Sequence, residues 1–206
     1  MSEAGDPAPW PEDVDLRGKR VWLVPLRPAH AEALAEAVRD GELWLLWYTS
    51  VPISEGMADD IAYRLERRGQ GACLPFAVLD AATGIPVGMT SYWNIDATNK
   101  RVEIGATWYR AAVQRTGINT ECKRMLLAHA FEVLDCIAVE FRTHFFNHQS
   151  RRAIERLGAK LDGILRNHSR TKEGLLRDTC VYSITAAEWP TVRRHLDFRM
   201  GTGDPA

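Results

Sequence analysis

The stretch Val102–Tyr109, followed closely by Gln114–Asn119 and a long helical pattern, constrains this chain more than any other. Val102-Glu103-Ile104-Gly105-Ala106-Thr107-Trp108-Tyr109 is short, mostly apolar and rich in β-branched and aromatic side chains, which predicts a buried strand. Gln114-Arg115-Thr116-Gly117-Ile118-Asn119 is a polar turn with one glycine that opens a helix. Backbone N–H groups at a helix N-terminus attract anions, and Arg115 adds a side-chain cation, so the pattern implies a phosphate-bearing ligand. Two familiar phosphate loops fail on spacing. No Gly-Lys-Ser/Thr follows Gly117, and Gly117 stands alone where a dinucleotide fingerprint needs three glycines.

The rest of the chain predicts one α/β domain around that unit. Arg20–Leu26 reads as a strand, and Pro28 opens a helix with Leu34, Ala37 and Val38 on one face, ending near Asp40-Gly41. After the aromatic segment Glu42–Tyr48, Ser54 starts a second helix in which Met57, Ile61 and Leu65 recur at helical spacing before Gly69 to Gly71 ends it. Strands are expected at Pro75–Leu79, Pro86–Trp93 and Arg101–Tyr109, joined as an antiparallel run. The helix after the loop carries Ile118, Cys122, Met125, Leu126, Ala130, Val133 and Leu134 on one stripe. Ile137–Thr143 is the next strand, Asn147 caps a helix ending at Leu157-Gly158, and Lys160–Arg170 pairs with Arg177–Ile184. Trp189 and Val192 suggest a closing helical turn.

Composition narrows the function classes. A chain of 206 residues, 46% hydrophobic and 26% charged, suffices for one well-packed domain, expected over residues 16–198 between flexible tails at 1–15 and 199–206. The formal net charge of −1 makes no electrostatic case for nucleic acid or an anionic membrane as partner. No apolar run approaches the ~20 residues that span a bilayer. The N-terminus lacks the basic start and apolar stretch of a signal peptide, so a cytoplasmic protein is expected. The four cysteines, Cys73, Cys122, Cys136 and Cys180, form no C-x-x-C pair and read as buried reduced thiols. No His/Cys/Asp cluster has metal-ligand spacing, so no metal is expected.

The loop and the element order together resemble the GCN5-related N-acetyltransferases, whose pyrophosphate loop runs (Gln/Arg)-x-x-Gly-x-(Gly/Ala). Here it reads Gln114 to Asn119, with Asn119 departing from the small final residue. The order strand, two helices, three antiparallel strands, helix, strand, helix, two strands matches that fold over about residues 16–190. Glu103-Ile104-Gly105, with Asn147-His148-Gln149-Ser150 and Arg151–Gly158, is similar to the RimJ/RimL branch, which acetylates protein N-termini, with relatives that acetylate small amines. The resemblance implies a mixed, mostly antiparallel central sheet flanked by helices. It implies acetyl-CoA as cofactor and direct transfer to a primary amine in a ternary complex. The acceptor would be a protein N-terminus or a small amine or aminoacyl compound, detoxification included, and the protein a monomer or homodimer. The other reading is a non-catalytic acyl-CoA-binding or interaction module on the same fold.

The resemblance also implies roles for residues. Gln114, Arg115, Thr116, Gly117, Ile118, Asn119 and Thr120 would hold the pyrophosphate, and backbone N–H groups near Thr107, Trp108 and Tyr109 the acyl oxygen. Asn147 would contact the pantetheine arm, act as a helix cap, or both; Arg151 would reach the phosphates or be a solvated helix arginine. Ser150 shares a helix face with Ala153, Ile154 and Leu157, and the matching serine in relatives protonates the departing thiolate. The proton acceptor for the amine would be Glu103 or His168, a glutamate working through water or a histidine suited to neutral pH. Alternation would turn Glu103 and Gly105 to the cleft and Val102, Ile104 and Ala106 away from it. Trp44, Trp47, Tyr48, Trp93, Phe145 and Phe146 would line an acceptor pocket with an apolar portion, although aromatic side chains also fill ordinary cores. His129 sits on the apolar stripe as a core residue, and His144 and His148 are assigned no role.

Overall fold

A computed structural model of the chain describes residues 10–202. Eight strands form one sheet in the order β1-β2-β3-β4-β5-β6-β8-β7. These are β1 (Leu16–Arg17), β2 (Val21–Pro25), β3 (Cys73–Asp80), β4 (Pro86–Asp96), β5 (Arg101–Tyr109), β6 (Ala138–His144), β7 (Lys160–Arg170) and β8 (Leu176–Thr185). All neighbours run antiparallel except β5 and β6, whose crossover is the loop and the helix α3 (Ile118–Ala128). The expected mixed, mostly antiparallel sheet is present.

Each face of the sheet has its own core. On one face, α1 (Ala31–Arg39) and α2 (Met57–Gly69) bury Leu34, Ala37, Val38, Met57 and Ile61 against Ala77, Met89 and Trp108. On the other, Ile118, Cys122, Leu126 and Leu127 of α3 pack on Phe76, Tyr92, Val102 and Ile104. The α5 helix (Trp189–Met200) closes this second core with Trp189, Val192 and Leu196 and runs well past the single turn that was expected. Between β6 and β7, α4 (His148–Glu155) brings Ile154, and the turn after it Leu157, to the same core.

The α3 stripe departs from its expected course near its end. Residues His129–Val133 form a π-turn, with Leu134 N–H donating to His129 O at 3.0 Å. The extra residue per turn rotates Val133 into solvent, where it is 70% exposed, while Leu134 stays buried. Tyr92 anchors the turn by donating to Leu126 O at 2.6 Å and lying 3.1 Å from His129 Nδ1. The expected tails at residues 1–9 and 203–206 lie outside the described residues. Trp10 and Val14 pack against the larger core and Asp13 pairs with Arg68 at 2.9 Å, so packing begins ahead of residue 16.

Two irregularities in β5 shape the cleft beside it. Pairing with β6 is confined to Arg101–Glu103 against Ala138–Glu140; beyond it the two strands diverge and leave a notch. Opposite β4, Met89 faces Trp108 and Ser91 faces Gly105, so Thr90 opposes both Ala106 and Thr107. That is a β-bulge, and Ala106 within it takes a left-handed conformation, with φ 48°. The bulge breaks the alternation expected for this strand. Val102 and Ile104 are buried under α3, whereas Ala106 is exposed. Just beyond it β4 and β5 approach very closely, and a methyl group on Gly88 would collide with Trp108 O. Gly88→Ala is expected to lower unfolding free energy by about 1–3 kcal/mol, read by urea denaturation, because the strands must separate beside the bulge.

Candidate functional site

The phosphate loop leaves β5 at Tyr109 and enters α3 at Gly117, which takes φ 93° as the residue preceding the first helical turn. Arg115 is also left-handed, with φ 64°. No side chain caps α3, so the N–H groups of Ile118, Asn119 and Thr120 have no partner within the helix. Inside the loop, Gln114 Nε2 donates to Tyr109 O at 3.1 Å and the Thr116 hydroxyl to Val113 O at 2.6 Å. The exposed Arg115 guanidinium makes no hydrogen bond among the described residues.

Two residues to which the sequence gives no ligand-site role brace the loop. Arg20 donates to Thr116 O at 2.8 Å. Glu121, in the first turn of α3, would oppose a bound phosphate; instead its carboxylate accepts the N–H groups of Lys19 and Arg20 at 2.9 and 2.8 Å. A helix terminus with uncapped donors, an unengaged cation and its one acid turned aside fits a diphosphate.

The β5 residues beyond Glu103 form one wall of the notch. Trp108 and Tyr109 send their side chains into opposite cores, leaving only their backbone to meet a ligand. Across the notch, Asn147 caps α4 by accepting Ser150 N–H at 3.0 Å. The Ser150 hydroxyl is half-buried and makes no hydrogen bond among the described residues. Arg151 is committed inward, donating to the Tyr182 hydroxyl at 3.1 Å and Phe145 O at 3.3 Å, with its guanidinium 5.0 Å from the Phe145 ring. Among the expected phosphate cations, only Arg115 is unengaged.

Glu103 stands where β5 and β6 part. Its carboxylate folds along the strand over Gly105, accepts Asn94 Nδ2 at 2.7 Å, and lies 3.7 Å from Arg142 Nε. Burial holds its pKa above the ordinary carboxylate value, outweighing Asn94 and Arg142. His168 is elsewhere, exposed on the edge strand β7 with Nδ1 3.2 Å from the Thr179 hydroxyl.

The expected aromatic residues divide. Trp47, Tyr48, Phe145 and Phe146 gather around His144 at the end of β6. Trp47 lies edge-on to His144 at 4.9 Å, and Phe146 lies 5.8 Å from it. Trp44 packs with the α1/α2 core, and Trp93 faces Glu103 across the ladder with its ring near Tyr63 of α2. His144, unassigned from sequence, accepts Phe146 N–H at Nδ1 (3.1 Å), which leaves the proton on Nε2; burial lowers its pKa. No local pattern around His144 marked it, because the ring is defined by a segment ninety-odd residues earlier in the chain. Phe145, Phe146, Ile164, Leu176, Arg166 and Asp178 wall a groove of ≈ 540 Å³ beside this cluster. All four cysteines are buried, and burial pushes the Cys73 thiol up to about 12 and Cys136 up to about 11, which disfavours a thiolate nucleophile.

A sheet split between its parallel strands, with an anion-receiving helix end beside the split, is the layout of an acyl-CoA-dependent N-acyltransferase. Residues 20–160 match the acetyltransferase (GNAT) domain family, and the chain belongs to that family. A GCN5-related N-acetyltransferase from Brucella melitensis superposes with TM-score 0.82 at 28% identity, over 96% of this chain and 90% of its own. Mycobacterium smegmatis RimJ, in complex with CoA-disulfide, shares the fold with TM-score 0.75 at 22% identity, over 94% of this chain and 96% of its own. Over 102 residues the chain is 33% identical to YdaF of Bacillus subtilis (strain 168), a proposed ribosomal N-acetyltransferase. That match takes in 50% of this chain and 55% of YdaF, about half the length of the curated relative. Acetyl-CoA is the family's acyl donor, and the loop between β5 and α3 fits its pyrophosphate.

The buried Glu103 carboxyl gives a stability test. Its raised folded-state pKa means that the folded chain binds this proton more tightly than the unfolded chain. The contribution is complete below the ordinary carboxylate value and is lost as pH rises through the raised one. Glu103→Gln is therefore expected to flatten the fall in stability over that interval in urea titrations from pH 4 to 7. Parallel curves for the two proteins contradict it.

Proposed function

We propose that the protein transfers an acetyl group from acetyl-CoA to the primary amine of a protein N-terminus, directly in a ternary complex. The observation that carries this reading is the divergence of β5 from β6 after Glu103. It sets a buried carboxyl at the foot of a notch whose rims are the phosphate loop and the Asn147–Ser150 turn.

Acetyl-CoA supplies the acetyl group as a thioester, which needs no covalent intermediate on the protein. The backbone of Gly117–Thr120 and the Arg115 guanidinium hold the diphosphate, while the backbone near Thr107–Tyr109 and the Asn147 side chain receive the arm and the acyl oxygen. Glu103 takes the proton of the acceptor ammonium through water; a carboxyl with raised proton affinity is better matched to that step than an ordinary one. Ser150 would give its proton to the departing thiolate and recover one from the nitrogen that becomes the amide. The exposed His168 is left outside the reaction.

The groove beside Phe145 and Phe146, with Arg166 and Asp178 on its wall, is large enough for the first residues of a peptide. The ribosomal assignment of YdaF supports the same acceptor class. We place this chemistry in the cytoplasm, on a single domain.

Thiol release from acetyl-CoA, measured with N-terminal peptides and with small amines, tests the proposal. Ser150→Ala is expected to lower kcat about a hundredfold with peptide acceptors, the size of a lost general acid. Glu103→Gln is expected to do the same and to abolish the acidic limb of kcat/KM, and His168→Ala to stay within about twofold of wild type. Turnover of small amines alone moves the acceptor class to small compounds. Binding of acetyl-CoA without turnover of any amine leaves the non-catalytic reading.

A further inference from the structure

Lys123 projects from α3 into the sheet and is 6% exposed. Its ammonium donates to the Thr107 hydroxyl at 2.7 Å and to the Thr90 hydroxyl at 3.1 Å. The two hydroxyls lie 2.7 Å apart, and Thr107 Oγ1 also approaches Gly105 O at 3.3 Å. These are the residues of the bulge: Thr90 is the single residue on β4, and Gly105 and Thr107 flank Ala106 on β5. No carboxylate lies within ion-pair distance of Lys123 among the described residues. An ammonium buried with only hydroxyl partners is costly, and core packing gives no reason for it where a methionine of similar length would fit.

The position supplies a reason. The bulge lies beyond the last β5–β6 pair, on the wall of the notch that receives the acyl group in the proposed transfer reaction, on which this inference rests. Ala106 holds a conformation unfavourable for a residue with a Cβ, and such strain persists only where surrounding contacts fix it. We propose that Lys123 is a positioning residue for acetyl transfer. Its ammonium, acting through the Thr107 hydroxyl, holds the Ala106 bulge in the shape that presents the β5 backbone to the thioester.

Burial lowers the Lys123 pKa to about 8, opposed by the nearby Cys122 on its own helix and Glu103 on β5. Thr90 and Thr107 are its neutral partners from β4 and β5, and Arg64 of α2 meets the same bulge from the other face of the sheet. The charged form does the positioning, so transfer should fall as pH rises through about 8. This is opposite in sign to the gain from deprotonating either Glu103 or the acceptor amine.

The test compares wild type with Lys123→Met in thiol-release kinetics at pH 6–9.5 and in CoA binding by calorimetry. The expected result is a kcat reduced about tenfold or more, as for a small misplacement of the reacting groups, with CoA affinity within about twofold and no alkaline limb near pH 8. Thr107→Val keeps the cation but cuts its link; it should show the same kcat loss, and the double variant should be no worse than either. A folded Lys123→Met protein with wild-type kcat and pH profile overturns the proposal. If that variant does not fold, Thr107→Val decides alone, and wild-type kcat there overturns it equally. Wild type that binds acetyl-CoA but acetylates no amine overturns the transfer reading and this proposal together, whereas active wild type beside an indifferent Lys123→Met overturns this one only.

Discussion

The bulge at Ala106 is gripped from both faces of the sheet by buried cations, and the placement of the site follows from that grip. From the α2 side, Arg64 donates to Ser91 Oγ at 3.2 Å and Ala106 O at 3.4 Å, with its charge balanced by Asp60 at 2.7 Å. From the α3 side, Lys123 reaches Thr90 and Thr107. The extra residue reverses which core the following side chains enter, sending Trp108 under α1 and α2 and Tyr109 under α3. It increases the local twist just where β5 leaves β6, and so accompanies the notch. Both helices that carry the cations are tied to one backbone irregularity.

Charge in the notch is arranged by burial more than by pairing. Glu103 has Asn94 and an ion pair with Arg142 at 3.7 Å, too little to offset desolvation, and retains a high proton affinity. Glu140, one strand away, is gripped by Arg101 and Arg142 and shifts the other way, below the ordinary carboxylate value. Neighbouring carboxyls on paired positions of β5 and β6 thus differ in proton affinity because two guanidiniums grip Glu140 closely, whereas Glu103 is more deeply buried and meets Arg142 only at 3.7 Å.

Most of the architecture was legible because it is written in local patterns. Helical spacing of Leu34, Ala37 and Val38, or of Met57 and Ile61, placed the α1 and α2 faces, and the strand–turn–helix signature placed the loop. Asn147 read correctly as a cap for the same reason. What stayed hidden depends on residues far apart in sequence. Val102–Tyr109 reads as one regular strand, and only pairing with Thr90 shows that it bulges. The π-turn at His129–Val133 changes no pattern that spacing can detect. The aromatic cluster needs residues 47 and 48 brought against 144–146, and the separation of Trp44 from Trp47 depends on a turn of irregular backbone. Arg64 and Lys123 did leave a signal: each falls on the apolar stripe of its helix, Arg64 seven residues after Met57 and Lys123 four before Leu127. A cation at such a position is out of place unless something polar waits in the sheet.

The Glu121 carboxylate ties the hairpin of β1 and β2 to the start of α3, and Arg20 ties the same hairpin to the loop carbonyl of Thr116. The loop is thereby ordered by the fold before any ligand arrives. Capture of a polyanion by a preorganised surface loses little conformational freedom, so its speed is set by diffusion and by the field of Arg115. Cofactor association should thus slow with ionic strength, while the residence time of the bound molecule depends on the fixed backbone donors, which salt screens far less.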